Sequence, residues 1–221
     1  MEIKEVLALL SSVFLITCGV VYGLKYVRIR KNYLLGFEWL IVAFSASNLL
    51  LFLVTGFKVG YSISFFLDAF SRAFGVPIVA TLGLMAVTHN YRPSVTKDIM
   101  IFGVTFAATF VLVLADFVKG LLPYFYLIMW ACYTLYLCYF TWRLLRAGEF
   151  MHALLNALTT AAALAVAVVY DFLPIPGDED KMEFMIYALT VWGCQIIQQY
   201  YAYGALERAK NNSFQSFVHA R

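Results

Sequence analysis

The sequence predicts an all-α fold: a polytopic integral membrane bundle of seven transmembrane helices, with the N-terminus outside and the C-terminus cytoplasmic. Three observations carry this. Of 221 residues, 63% are hydrophobic and only 13% are charged, against about 25% charged in a soluble domain. Apolar runs recur along the chain, each long enough to cross a hydrocarbon core of about 30 Å, which takes roughly 20 helical residues. The lysines and arginines, finally, gather in alternate gaps between those runs. Mean hydropathy is +0.80. Barrel strands would run about 10 residues and alternate in polarity, so helices are what the pattern requires.

The runs lie at about 6–24, 33–55, 61–88, 99–118, 122–142, 151–172 and 183–205. Together they make one domain, residues 1–205, followed by a polar cytoplasmic tail at 206–221 that is expected to fray. The first run follows the segment MEIKE, in which Glu2 and Glu5 outweigh Lys4. A cleaved signal peptide needs a basic leader and a small-residue cleavage site, so the run reads as a retained helix. The gaps hold turn-forming stretches: GFKVG at 56–60, NYRPS at 90–94, KGLLP at 119–123 and LPIPGDEDK at 173–181.

Orientation follows from the basic residues. Lys25, Arg28, Arg30, Lys31, Arg92, Lys97, Arg143, Arg146, Arg208, Lys210 and Arg221 fall on one side, and Lys4, Lys58, Lys119 and Lys181 on the other. Arg72 lies inside a run. The basic side is cytoplasmic by this rule, consistent with a bacterial cytoplasmic (inner) membrane. Asp171, Asp178, Glu179, Asp180 and Glu183 then face outward, either as a solvated loop or as a vestibule that concentrates cations.

Polar side chains within the runs point to an interior site, because in hydrocarbon they turn toward the bundle. Run two places Glu38, Ser45 and Asn48 on one stripe. Glu38 is near enough to the cytoplasmic boundary to reach Arg30 or Lys31, whereas Asn48 is deeper. Run three carries Asp68 and Arg72 at i and i+4, in the favourable order, with Ser64 and Ser71 nearby. At 1.5 Å per residue, Arg72 lies about 16 Å below the start of its run. Gly75 and Pro77 follow and predict a kink. Two other readings remain open for this pair: an interfacial helix at 61–72 ahead of a shorter span at 73–88, or a purely structural salt bridge. Run four has Thr105 and Thr109 on one face and Asp116 at its end.

Run five aligns Tyr126, Trp130 and Tyr133, the last two mid-span, where they could form an aromatic wall. Run six aligns His152, Asn156, Thr159 and Thr160. Run seven aligns Gln195, Gln198 and Gln199.

Several function classes are excluded or disfavoured. A retinal pump needs a lysine in the middle of the last helix, but Lys181 and Lys210 sit at its ends. The Asn-Pro-x-x-Tyr signature of G-protein-coupled receptors is absent. The orientation count permits a three-one-three arrangement of helices, but the Pro-Gln pairs of the seven-helix sugar facilitators are missing. There is no HExxH or GxSxG. Cys18, Cys132, Cys138 and Cys194 lie in apolar runs with no CxxC, and His89 and His152 alone make no metal set. A net charge of +3 is too small to imply nucleic acid as a partner.

No catalytic residue, metal or cofactor is indicated. The partners expected are the lipid bilayer and a small-molecule or ion ligand. The sequence reads as a multi-pass transporter whose substrate contacts are Asp68, Arg72, Asn48, Trp130, Tyr133, Asn156, Gln195 and Gln198. The alternative is a seven-helix sensor or accessory subunit acting through a protein partner.

Overall fold

The computed structural model describes residues 3–173, 175–179 and 181–219, with side chains as far as Asn212. Asp180 of the acidic loop and Arg221 of the tail lie outside the described residues. Those described are helical almost throughout, with no strand among them. The long helices are α1 (Ile3–Arg30), α2 (Tyr33–Thr55), α3 (Lys58–Thr88), α4 (Val95–Leu114), α5 (Asp116–Arg146), α6 (Phe150–Phe172) and α7 (Met182–His219).

Helices α1 to α6 are each long and apolar enough to cross a membrane. The chain therefore has the character of a multi-pass integral membrane protein. Helix α7 is as long, but Gln195, Gln198, Gln199 and four tyrosines lower its hydropathy. It continues without a break through the segment expected to fray, and Glu207 on that segment pairs with Arg30 of α1.

Local chemistry sets the helix ends. The Asn32 side chain caps α2 by accepting from the Leu35 N–H at 3.2 Å. Gly56 ends α2 in the left-handed region. Ser94 caps α4 through the Lys97 N–H, and α5 begins as a 3₁₀ segment, Asp116–Leu121, before the α-helix that carries Pro123 in its first turn.

Six helices close into a ring in the order α1, α2, α3, α5, α6, α7, with α7 packing back on α1. The first three and the last three therefore form two halves. Helix α4 links them from outside the ring, leaning on α3 through a ladder of phenylalanines, with Phe70 stacked on Phe106 at 4.2 Å and Phe66 against Phe110 at 4.4 Å.

Side-chain polarity is reversed relative to a water-soluble protein. Leu10, Phe44, Val104, Leu135 and Leu158 are exposed, while Glu38, Thr109, Asn156, Gln195 and Gln199 are buried. Exposed apolar surface on every side fits lipid as the surrounding solvent.

Hydrogen bonds across the ring hold neighbours in register. Asn32 donates to the Gly83 carbonyl at 2.8 Å, tying α2 to α3. Arg143 donates to the Thr88 carbonyl at 2.8 Å, tying α5 to α3. Tyr22 and Tyr26 of α1 pack against Tyr200 and Tyr203 of α7.

Small residues let α1 and α2 approach closely. A Cβ at Gly23 would lie 2.9 Å from the Gly36 carbonyl oxygen, whereas one at Gly103 of α4 would meet nothing. Such small-residue contacts replace the missing hydrophobic drive between helices in lipid.

The expected outcome of Gly23→Val is a loss of about 1–3 kcal/mol, the usual cost of overpacking. Gly103→Val should be near neutral. Thermal unfolding of the purified protein in one detergent checks both.

Candidate binding site in the helical ring

Proline shapes the wall of the ring interior. Pro77 has no N–H and its ring crowds the carbonyl four residues earlier, so an ordinary α-turn cannot pass through it. Helix α3 responds over Ser71–Ala80 by widening into a π-helical stretch. The kink expected at Gly75–Pro77 is thus a change of helical winding that begins at the serine before Arg72. Single π-turns inside longer helices are frequent at functional sites. Here the winding directs Ser71 toward α2 and Arg72 toward α5 and α6.

Arg72 is 7% exposed, deep in the ring. Its guanidinium is sandwiched between two rings, 4.2 Å from the centroid of Tyr126 on α5 and 3.8 Å from that of Tyr170 on α6. It pairs with Asp171 of α6. Asp68, one turn earlier on α3, lies 3.9 Å away and accepts a hydrogen bond from the Tyr170 hydroxyl at 3.0 Å. One cation therefore faces two carboxylates and two aromatic faces, and the cluster stitches α3, α5 and α6 together. An unpaired arginine at this depth would cost at least about 3 kcal/mol. Removing one partner of a buried pair typically costs about 3–5 kcal/mol.

This arrangement differs from the interfacial-helix alternative raised for the pair by the sequence alone, and it fits the other, a salt bridge that locks α3 to a neighbouring helix. Residues 61–72 are continuous with the rest of α3 and Arg72 faces the ring, so the stretch is not a separate interfacial helix. The main partner of Arg72 is Asp171, which the sequence grouped with the outward-facing loop acids.

Beside the cluster the ring encloses a cavity of about 370 Å³, within the range of pockets for small organic molecules. Asp68, Arg72, Ser64 and Ser71 of α3 line it, with Trp39 and Ser45 of α2, Trp130 of α5, Tyr170 of α6, and Trp192 and Gln195 of α7. Phe52, Tyr61, Lys181 and Met182 carry the lining toward the end of the bundle where α1 begins. At that end Lys4 pairs with Glu183 at 2.5 Å. Most of the wall is apolar or aromatic, and the Asp68–Arg72–Asp171 cluster sets two carboxyl groups against one guanidinium.

Four of the sequence candidates meet here: Asp68, Arg72, Trp130 and Gln195. Tyr133 lies just past Trp130, edge-on to it at 5.7 Å, and accepts a hydrogen bond from Gln199. Asn48, Asn156 and Gln198 are elsewhere. Asn48 donates to the Phe44 carbonyl of its own helix at 2.8 Å. Asn156 donates to Thr141 at 2.9 Å, joining α6 to α5, and Gln198 donates to the His152 carbonyl at 2.9 Å, joining α7 to α6. Asn156 and Gln198 thus hold helices together, a common use of amides in membranes, while Asn48 bonds back to its own helix.

Sequence reasoning missed Glu38, Tyr126, Tyr170 and Asp171 as members of the site. Glu38 is not at the boundary with Arg30. It is fully buried and accepts from the Ser71 hydroxyl at 2.9 Å. The signal that could have found Asp171 is charge balance: an arginine inside a span needs a carboxylate, and Asp171 closes another apolar run. Among the described residues no group of three metal-ligating side chains forms.

No protein-family model matches the chain, and no curated protein or solved structure shows significant similarity to it.

Asp171→Asn is expected to lower stability by about 3–5 kcal/mol, because it removes the nearer carboxylate partner of the buried guanidinium and leaves only Asp68 at 3.9 Å. The triple change Arg72→Met, Asp68→Asn, Asp171→Asn should recover a large part of that loss. Asp116→Asn, at an exposed acid paired with Lys119, should leave unfolding unchanged. Denaturant or thermal unfolding of the four proteins compares them.

Proposed function

We propose that this protein is a membrane transporter for a small organic molecule, which it takes up in the cavity between its two three-helix halves. One observation carries the reading: a closed ring of six helices surrounds a cavity that runs from one end of the bundle to a buried charge cluster. Many secondary transporters are built from two related halves, with substrate held near the bilayer midplane between them and beside interrupted helices. The π-helical stretch of α3 supplies such an interruption.

Seven spans, with the N-terminus outside and the C-terminus cytoplasmic, complete the reading. The cavity then opens outward, and the basic residues of the opposite end meet the cytoplasm. The lining selects for an amphipathic solute over a hydrated ion. Trp39, Trp130, Trp192 and Phe184 offer apolar and aromatic faces. Asp68 and Gln195 offer a charge and an amide at its depth. A solute with an apolar body and an amine would match both, the amine facing the Asp68 carboxyl group. Substrate contacts are assigned to Asp68, Arg72, Trp130 and Gln195, with Tyr133 supporting the aromatic wall from behind.

Thermal-shift screening of the purified protein against a metabolite set rich in hydrophobic amines tests this, followed by uptake of the hits into proteoliposomes. Hits are expected to quench tryptophan emission. Ser64→Trp, which fills the cavity, should abolish both the shift and the uptake, whereas Gly103→Trp on the outer face of α4 should leave them intact. Solutes that stabilise wild type and Ser64→Trp equally would refute the assignment.

A further inference from the structure

Immediately behind Ser71, on the far side from the cavity, lies Glu38. It is 0% exposed. Ser71 donates to its Oε1 at 2.9 Å, and among the described residues Oε2 has no partner. The carboxylate sits against the backbone of the π-helical stretch, where a Cβ on Gly75 would overlap it. Only glycine leaves room for this side chain to lie flat on α3.

Among the described residues no cation pairs with this group. Arg72 follows Ser71 in the chain but points away, into its pairing with Asp171 and between Tyr126 and Tyr170. Arg30 is engaged by Glu207, and Lys31 is exposed at the end of the bundle opposite the cavity mouth. Tyr133 of α5 and Tyr26 of α1 are buried titratable groups of the same core. Asp98 is the buried acid of α4. From α7, Gln199 donates to Tyr133 and is uncharged.

An ionised carboxylate without a counter-ion at this depth costs several kcal/mol, and a buried acid so placed takes up a proton instead. One polar contact leads to it: the Ser71 hydroxyl both binds Glu38 and lines the cavity. Toward the opposite end of the bundle lie separate polar pairs, Gln199 donating to Tyr133 and Asn32 donating to Tyr203 at 3.4 Å. The Arg30–Glu207 pair stands at that end.

We propose that Glu38 is a reversible proton-binding site linked to the cavity through Ser71 and the π-helical stretch of α3. The carboxylate binds one proton to become the neutral acid. Release returns that proton to water through the Ser71 hydroxyl and the cavity. The charge left behind demands hydration, which the flexible winding at Ser71–Gly75 can admit by opening. Coupling of this proton to solute movement rests on the transport reading. The proton site itself does not.

Infrared difference spectroscopy of the protein in nanodiscs, titrated from acid to alkaline pH, tests the proposal, with tryptophan emission recorded on the same samples. Wild type should show a protonated-carboxyl C=O band that Glu38→Gln removes. Ser71→Ala should move that band to higher frequency, by loss of the donor to its carbonyl. Glu38→Asp, a second variant should the amide fail to fold, should shift the band without removing it. The band should fade reversibly as pH rises, and emission should change with the same midpoint, because Trp39, Trp130 and Trp192 surround the Ser71 side of the cavity. No Glu38-dependent band at any pH overturns the proposal. So does a titrating band with no change in emission. A titrating band with a matched emission change, in a protein whose cavity takes no solute, would sink the transport reading and leave the proton site standing.

Discussion

A single guanidinium sets the terms for the middle of this protein. Arg72 lies deep within the ring of helices, where its charge is tolerable only among Asp68, Asp171, Tyr126 and Tyr170. Those four partners come from three helices, so meeting the needs of one side chain fixes how α3, α5 and α6 stand to one another. The same constraint bears on the cavity, because two of the residues that satisfy Arg72, Asp68 and Tyr170, also form its wall. A buried pair of this kind is weak evidence for stability in itself, since well-packed apolar residues can do as well.

The second constraint is the winding of α3. Pro77 prevents a regular helix, and the π-helical stretch it induces separates two tasks along consecutive residues. Ser71 turns to Glu38 and Arg72 turns to the aspartates. A regular helix would also separate them by 100°, but it would not leave the flat backbone at Gly75 against which the Glu38 carboxylate lies. Charge cluster, cavity floor and buried acid are thus neighbours because of one proline and one glycine.

Much of the fold was legible in the sequence, since hydropathy and helix length are local properties. The stretch 33–55 coincides with α2, and the remaining runs fall within or beside the observed helices. Helix ends were less legible, because polar segments such as 206–219 continue a helix once a neighbour pairs with them, as Arg30 does with Glu207. The helical-face argument correctly turned Asp68, Arg72, Trp130 and Gln195 toward the interior. It could not separate residues that line a cavity from those that bond to a neighbouring helix, as Asn156 and Gln198 do, or to their own, as Asn48 does, and so all three carried the same signal as Gln195. Tyr170 and Asp171 were hidden by their position at a helix end, where polarity is ordinary. Glu38 was hidden by a depth estimate that ignored how far α3 extends past it.

The central claim is that the ring encloses a water-reachable cavity, walled by the Arg72 cluster and open at the end where α1 begins. Cysteine labelling measures this most directly. With Cys18, Cys132, Cys138 and Cys194 replaced by alanine, Ser64→Cys is exposed to a membrane-impermeant thiol reagent in sealed vesicles of each orientation. The account predicts labelling from the face that carries the N-terminus and none from the opposite face. Labelling from neither face, or equally from both, would contradict it.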